Sequence, residues 1–540
     1  MTMIDNAPPR GLLRTGLRRL GLACRLIPVG LLAAVALAGP RPALTDAAPF
    51  KSRRYEIELE GKLSDVSYED FDGDGLLDMM VIRGREIQVF FQDSGAGFRG
   101  KPDQKWKFDR RAVIFDTADI DGDKTREIVF LAADGLYSYD LAGGRRFRLL
   151  RRKRKALETL TRRPSSGEIR RKDLCRDLDG DGRDDLVIPE KSGLGLYLNK
   201  GGTFGDRMEL FSPPSAAVDP GSDRLSSQLR ALYWFSNPSV VDYNRDGLGD
   251  LLLPVDDQLR VFRRRSAEES ARRGGKIFPN QPDAVVSVPF QRLLAAGERP
   301  GFDLDLTLPM RLVDLNHDGY VDLISTHIGQ GTTRIFLGSE DTRKGFQTPA
   351  QTIRANGVAF FAFLQDLDGD GLDDLIVPRT DKIGIWSILK VLVTRSVPVD
   401  VLTFYQRKDG DRPFPAEPDD VGEIEIPVLF QSKGDRMSIG TSFLASISGD
   451  FNGDGRKDVL FRTAADEVGL YYAYGDRRGY PERDNPSAIL KVLSVEDYRF
   501  VMADVPDLNG DGKADVVLKY YSWDRKADRM TIYISEGGTK

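Results

Sequence analysis

The chain has 540 residues, 40% hydrophobic and 30% charged, which allows a large buried core and excludes a disordered chain. Glycine is abundant (54) and histidine scarce (2), so tight turns are favoured over imidazole chemistry. The formal net charge is −5, and nucleic acid is not an expected partner.

The N-terminus reads as an export signal. Arg10, Arg14, Arg18, Arg19 and Arg25 precede an apolar run, 26–38, too short to span a bilayer comfortably. Ala36-Leu37-Ala38 is a small-x-small cleavage site. The expected organisation is a signal peptide at 1–38, a linker at 39–53 and one domain at 54–540, exported to the periplasm or beyond. The alternative is an uncleaved N-terminal anchor. Cleavage removes Cys24 and leaves Cys175 alone, so no internal disulfide can staple the exported fold. No later segment is apolar enough to cross a membrane.

One nine-residue pattern then recurs eight times: an acid or amide at positions 1, 3 and 5, usually Gly at 6, and an acid at 9. The first three copies place Asp70, Asp72, Asp74 and Asp78; Asp119, Asp121, Asp123 and Glu127; and Asp177, Asp179, Asp181 and Asp185 at these positions. The fourth to sixth have Asp242, Asn244, Asp246 and Asp250; Asp314, Asn316, Asp318 and Asp322; and Asp366, Asp368, Asp370 and Asp374. The last two have Asp450, Asn452, Asp454 and Asp458, then Asp507, Asn509, Asp511 and Asp515.

Calcium takes six to eight oxygen ligands at roughly 2.3–2.6 Å. Side chains at positions 1, 3 and 5 of a tight loop converge on one point, position 7 can offer its carbonyl, and position 9 returns a carboxylate. Position 6 turns sharply, which suits Gly. Up to eight Ca²⁺ are therefore expected. The second loop, with Lys124 at position 6 and Glu127 at position 9, is expected to be the weakest. An EF-hand needs an acid at position 12, where this chain has Val81, Phe130, Ile188, Leu253, Ser325, Val377, Phe461 and Leu518.

Short apolar runs flank the loops and read as strands. Met79 to Ile82 and Val516 to Leu518 follow loops, and Val113 to Phe115 precedes one. A further run follows a turn, as in Ile87 to Phe90, Leu136 to Tyr139 and Ile385-Trp386. These third strands are expected to alternate and lie nearer solvent. Each unit is then strand, loop, strand, turn, strand, and a stretch able to hold a fourth strand. One such sheet cannot bury both its faces, but a radial ring of them can. The expected fold is all-β, a propeller of eight blades, or seven if one unit is irregular.

Closure is expected from residues 55–59, supplying the outer strand that the last blade lacks. Stretches at 199–238, 263–308 and 387–441 exceed a blade's needs and are expected to project from the rim. The basic stretch at 145–163 is read as a solvated loop or a contact for anionic polysaccharide, and 260–276 is similar but mixed with acids.

These repeats resemble the FG-GAP and VCBS repeat families, including integrin α-subunit propellers, fungal lectins and bacterial exported proteins. The resemblance covers about 50–540 and implies a calcium-loop propeller, with side chains at positions 1, 3, 5 and 9 as ligands. The leading functional reading is a monomeric binding or interaction module whose partner is a glycan or an envelope protein. A polysaccharide-active, lyase-like enzyme and a purely structural envelope component stay open. No HExxH, GxSxG, Walker or dinucleotide pattern occurs. His317 and His327 are expected to pack or face solvent.

Overall fold

The structure is a computed structural model that describes residues 50–536 apart from short internal stretches, the longest being 152–168, 219–230, 288–306 and 382–389. The expected leader lies outside the described residues. Alternating and β-branched runs form eight small sheets, the blades of an eight-bladed propeller.

Blade one shows the plan: Asp65–Glu69, Asp78–Arg83, Glu86–Phe90 and Gln104–Lys107 pair antiparallel in that order. A metal-type loop joins the first strand to the second in every blade. Since the blades repeat one topology around the ring, all eight loops emerge on the same face. The ring closes as expected. Ser52–Glu58 pairs antiparallel with the last strand, Arg529–Ser535, and Tyr55 sits opposite Ile532.

The core is a set of wedges between neighbouring sheets. Met80, Ile82 and Val89 of blade one meet Phe115, Ile128 and Phe130 of blade two. At the closing seam Ile57, Met530 and Ile532 of blade eight meet Met79, Val81 and Phe90 of blade one. Side chains of this kind each contribute roughly 1.5–3 kcal/mol when buried.

Two expectations are corrected. The third strands are not half-exposed: Glu86–Phe90 and Glu467–Tyr471 are almost wholly buried. Each is covered by a fourth strand, and the alternation falls there instead, as in Gln351–Arg354. In blade six, 385–386 lies outside the described residues, and Ser396–Phe404 pairs with Asp374–Thr380 as the third strand. Much of the supposed insertion at 387–441 is therefore blade, its outer strand running on as Asp420–Lys433 to pair with Arg436–Thr441.

The stretch at 199–238 does carry an extra hairpin, Ser215–Val218 with Ala231–Trp234. That at 263–308 carries a short helix, Ala267–Arg272, whose N-terminus is capped by the Ser266 side chain. Of the basic stretch, Arg145–Arg151 is the outermost strand of blade two. Among the described residues no helix is long and apolar enough to cross a membrane.

Candidate metal centres

Each loop is shaped by backbone that doubles back twice. Position 6 has positive φ in all eight, from Gly75 at 87° to Lys124 at 74°. Position 4 does too, which the spacing did not reveal: Gly73 is at 82°, and Arg245 and His317 adopt 62° and 55°. Non-glycine residues pay a steric penalty in this region. The recurrence of Gly at position 4 in six loops was the available signal.

This path aims backbone N–H groups at the acids. In every loop the position-6 N–H donates to position 1, at 2.8–3.0 Å. The position-7 N–H donates to position 5, also at 2.8–3.0 Å. The loops thus hold their carboxylates in place with ordinary turn chemistry.

Position 9 is a different kind of residue. Asp78, Asp185, Asp250, Asp322, Asp458 and Asp515 are 0% exposed. One oxygen accepts the position-2 N–H at 2.7–3.1 Å in all eight blades. Among the described residues the other accepts, in seven blades, an N–H at or just beyond the end of the third strand, at 2.6–2.9 Å. Position 9 therefore pins the loop to its sheet. Burial, against these N–H bonds, pushes Asp78, Glu127, Asp185, Asp374 and Asp458 up to about 7, and Asp250, Asp322 and Asp515 up to about 6.

Loops one, two, three and six each bring three carboxylate oxygens, from positions 1, 3 and 9, within 4.8 Å of one another. Oxygens on opposite sides of a Ca²⁺ lie about 5 Å apart, so such a set fits around one ion. Loop two belongs to this group despite Lys124, because Glu127 reaches the same point. At position 3, Asp72, Asp121 and Asp179 are pushed upward by burial and by neighbouring carboxylates, the repulsion that a dication would relieve. The other four loops have Asn at position 3. There the amide donates to the position-5 carboxylate at 2.9–3.2 Å and relieves part of that repulsion internally. All eight donor sets are oxygen-only and fit a hard cation.

The loops also touch one another. The Leu77 N–H donates to the Leu508 carbonyl, Asp184 to Asp119, and Ala514 to Asp450, each across a blade boundary. Arg245 lies over the Tyr320 ring of the next loop at 4.8 Å. Arg478, from blade seven, reaches Asp368 of loop six at 2.6 Å. Buried amides add latches, two at seams already bridged and one between blades six and five: Gln92 donates to Leu508, Asn199 to Ile120 and Gln406 to Leu315. Among the described residues the amide oxygens of Gln92 and Gln406 have no donor. Sequence reasoning missed these latches because their loop partners are backbone carbonyls. His327 is buried, and its Nδ1 accepts the Gln330 N–H.

An eight-bladed ring with one acidic, oxygen-only loop per blade defines an acidic-loop β-propeller whose carboxylates could hold metal ions. The FG-GAP-like repeat profile matches residues 70–130, 177–253, 314–377 and 450–518, half of the chain, and the chain belongs to that family. Each match opens on position 1 of one loop and runs through the next. No curated protein matches the sequence. Among solved structures, the Vibrio cholerae biofilm matrix protein Bap1 aligns at 13% identity over 87% of this chain and 77% of that one, with a TM-score of 0.22. The Pseudomonas aeruginosa periplasmic gluconolactonase PpgL aligns at 14% identity over 80% and 97%, with a TM-score of 0.27. Likeness at that level carries no argument about this chain's activity.

Proposed function

We propose that this protein is an exported calcium-binding propeller that acts as a glycan- or envelope-protein-binding module. The observation that carries it is the eightfold repetition of one acidic loop path on a single face, with three carboxylates converging in four of the copies. The ligands of each ion are the side chains at positions 1, 3, 5 and 9 named above. Calcium there fixes the loops and their neighbours, replacing the disulfides that a chain with one cysteine after residue 38 cannot make. Export rests on the basic leader and the apolar run at 26–38, with residues 1–38 as the signal and the propeller as one domain.

The enzymatic reading has one specific cluster. On the inner strands the Tyr68 hydroxyl donates to Asp504 at 2.8 Å, and the Lys519 ammonium reaches the same carboxylate at 2.7 Å. Both proton-carrying groups are tied to one acid, an arrangement that suits a structural ion pair better than proton abstraction. Glycan-array screening of the purified protein, with calcium and then with EDTA, tests the leading reading. Calcium-dependent retention of a saccharide class or an envelope protein supports it; calcium-independent turnover of a polysaccharide overturns it.

A further inference from the structure

Of the four loops that gather three carboxylates, loop six has a further partner. Arg478 lies in the connection between the third strand of blade seven, Glu467–Tyr471, and the fourth, Ala488–Lys491. Its Nε donates to Asp368 Oδ2 at 2.6 Å, across the boundary between blades six and seven. Asp368 is the position-3 acid of loop six and converges there with Asp366 and Asp374. Among the described residues no other converging carboxylate of loops one, two, three and six pairs with an arginine or a lysine. In loop three Arg183 pairs with position-5 Asp181, and Arg264 donates to the Asp179 carbonyl, so neither guanidinium is bonded to a converging carboxylate.

Three contacts seat the Arg478 guanidinium. Gly479 holds φ at +100°, and the Tyr474 N–H donates to the Gly479 carbonyl at 3.1 Å, which turns the chain back at Arg478. The guanidinium lies 4.4 Å from the centroid of the Tyr405 ring, and the third contact is Asp368 itself. Tyr405 is buried and belongs to the scaffold of loop six, because the next residue, Gln406, donates its N–H to the position-9 carboxylate of Asp374. An aromatic face beside a carboxylate is a favourable seat for a planar cation. Both halves of the seat come from blade six, and the cation comes from blade seven.

A guanidinium bonded to Asp368 already meets part of the charge that loop six offers to a dication. A second cation on the same carboxylate works against the repulsion of the first. We propose that Arg478 is a built-in competitor for the cation of loop six, which makes this loop a calcium-dependent latch between blades six and seven. In the metal-free protein Arg478 holds Asp368 and ties the two blades together. At high calcium Asp368 turns to the ion and releases Arg478. Loop six therefore fills at higher free calcium than it would without Arg478. The proposal rests on the reading of the acidic loops as calcium sites.

Equilibrium dialysis over a series of free-calcium concentrations tests it, on the wild type, Arg478→Ala, Asp370→Ala and the double variant, with thermal melts to confirm folding. Asp370 is the position-5 acid of loop six, so Asp370→Ala takes that site out of the isotherm. The expected result is that about one ion per chain binds to Arg478→Ala at about three- to tenfold lower free calcium than to the wild type. In the Asp370→Ala background the same substitution shifts nothing. In EDTA, Arg478→Ala unfolds at lower urea than the wild type, and an unchanged midpoint there overturns the latch. Isotherms that superimpose overturn the competition and leave the calcium reading standing. Weaker binding in Arg478→Ala also overturns it, since Arg478 would then orient Asp368 for the ion. A shift that persists in the Asp370→Ala background overturns the assignment to loop six. Binding of no calcium by the wild type overturns both the proposal and the calcium reading.

Discussion

Positions 5 and 9 of a loop both carry acids, yet the geometry gives them separable roles. In loop seven, Asp454 at position 5 accepts only the Arg456 N–H and the Asn452 amide, both in exposed surroundings. Asp454→Ala therefore costs little without metal, about 0.5–1 kcal/mol for exposed hydrogen bonds. With calcium at about twenty times its dissociation constant, losing the ion from one loop costs a further ~1.8 kcal/mol. Asp458 at position 9 is buried and accepts the Phe451 and Ala473 N–H groups at 2.7 and 2.9 Å. Asp458→Ala strands both donors, so it costs roughly 2–4 kcal/mol even in EDTA. The assay is urea unfolding of the wild type and the two variants, each with excess calcium and with EDTA. Equal losses for Asp454→Ala in the two buffers would refute the assignment of position 5 as a ligand. A negligible loss for Asp458→Ala in EDTA would refute the strand-pinning role of position 9.

Three further outcomes follow from the same structure. The position-9 acids are raised toward 6–7, so the metal-free fold holds protons that the unfolded chain releases near pH 4. Their contribution to metal-free stability is present below about pH 4 and is lost as pH rises to about 7. Calcium needs these groups ionised, so its affinity should drop about thirtyfold from pH ~8 to ~5.5 at a site whose acid titrates at about 7, as read by terbium displacement. A flat profile would contradict the burial argument. Ile57→Ala removes a 1%-exposed side chain from the closing seam and should cost about 2–4 kcal/mol, against under about 0.5 for exposed Glu56→Ala, both by urea unfolding. Lys124→Gly relieves a left-handed φ of 74° and should raise the melting point in EDTA slightly, by the equivalent of about 0.5–1 kcal/mol, with a fall counting against strain at that residue.

The blade count, the calcium-type loops and the closing strand were legible because each leaves a strict local pattern. Eight copies of one spacing mark eight connections from a blade's first strand to its second, and the alternating run at 55–59 ahead of blade one marked the closing strand, observed as Ser52–Glu58. Blade six was misread because its insertion falls in the turn before its third strand, so the apolar pair Ile385-Trp386 stood where the other blades place that strand. The double role of position 9 was hidden as well. A carboxylate spaced for a metal looks the same in sequence as one that fastens two backbone N–H groups, and only the fold shows that Asp374 accepts from Leu367 and Gln406. The pairing of Arg478 with Asp368 was not legible at all, since the two meet across a blade boundary, 110 residues apart in the chain.

The most direct test of the account is thermal unfolding of the purified protein with EDTA, with magnesium and with calcium, joined to equilibrium dialysis that counts bound ions. Metal-loop propeller stabilisation predicts up to eight calcium ions per chain and a rise in midpoint of roughly 10 °C or more with calcium, not reproduced by magnesium. No bound calcium and no shift would mean that the acidic loops are turns held by their own N–H groups, and that the metal account is wrong.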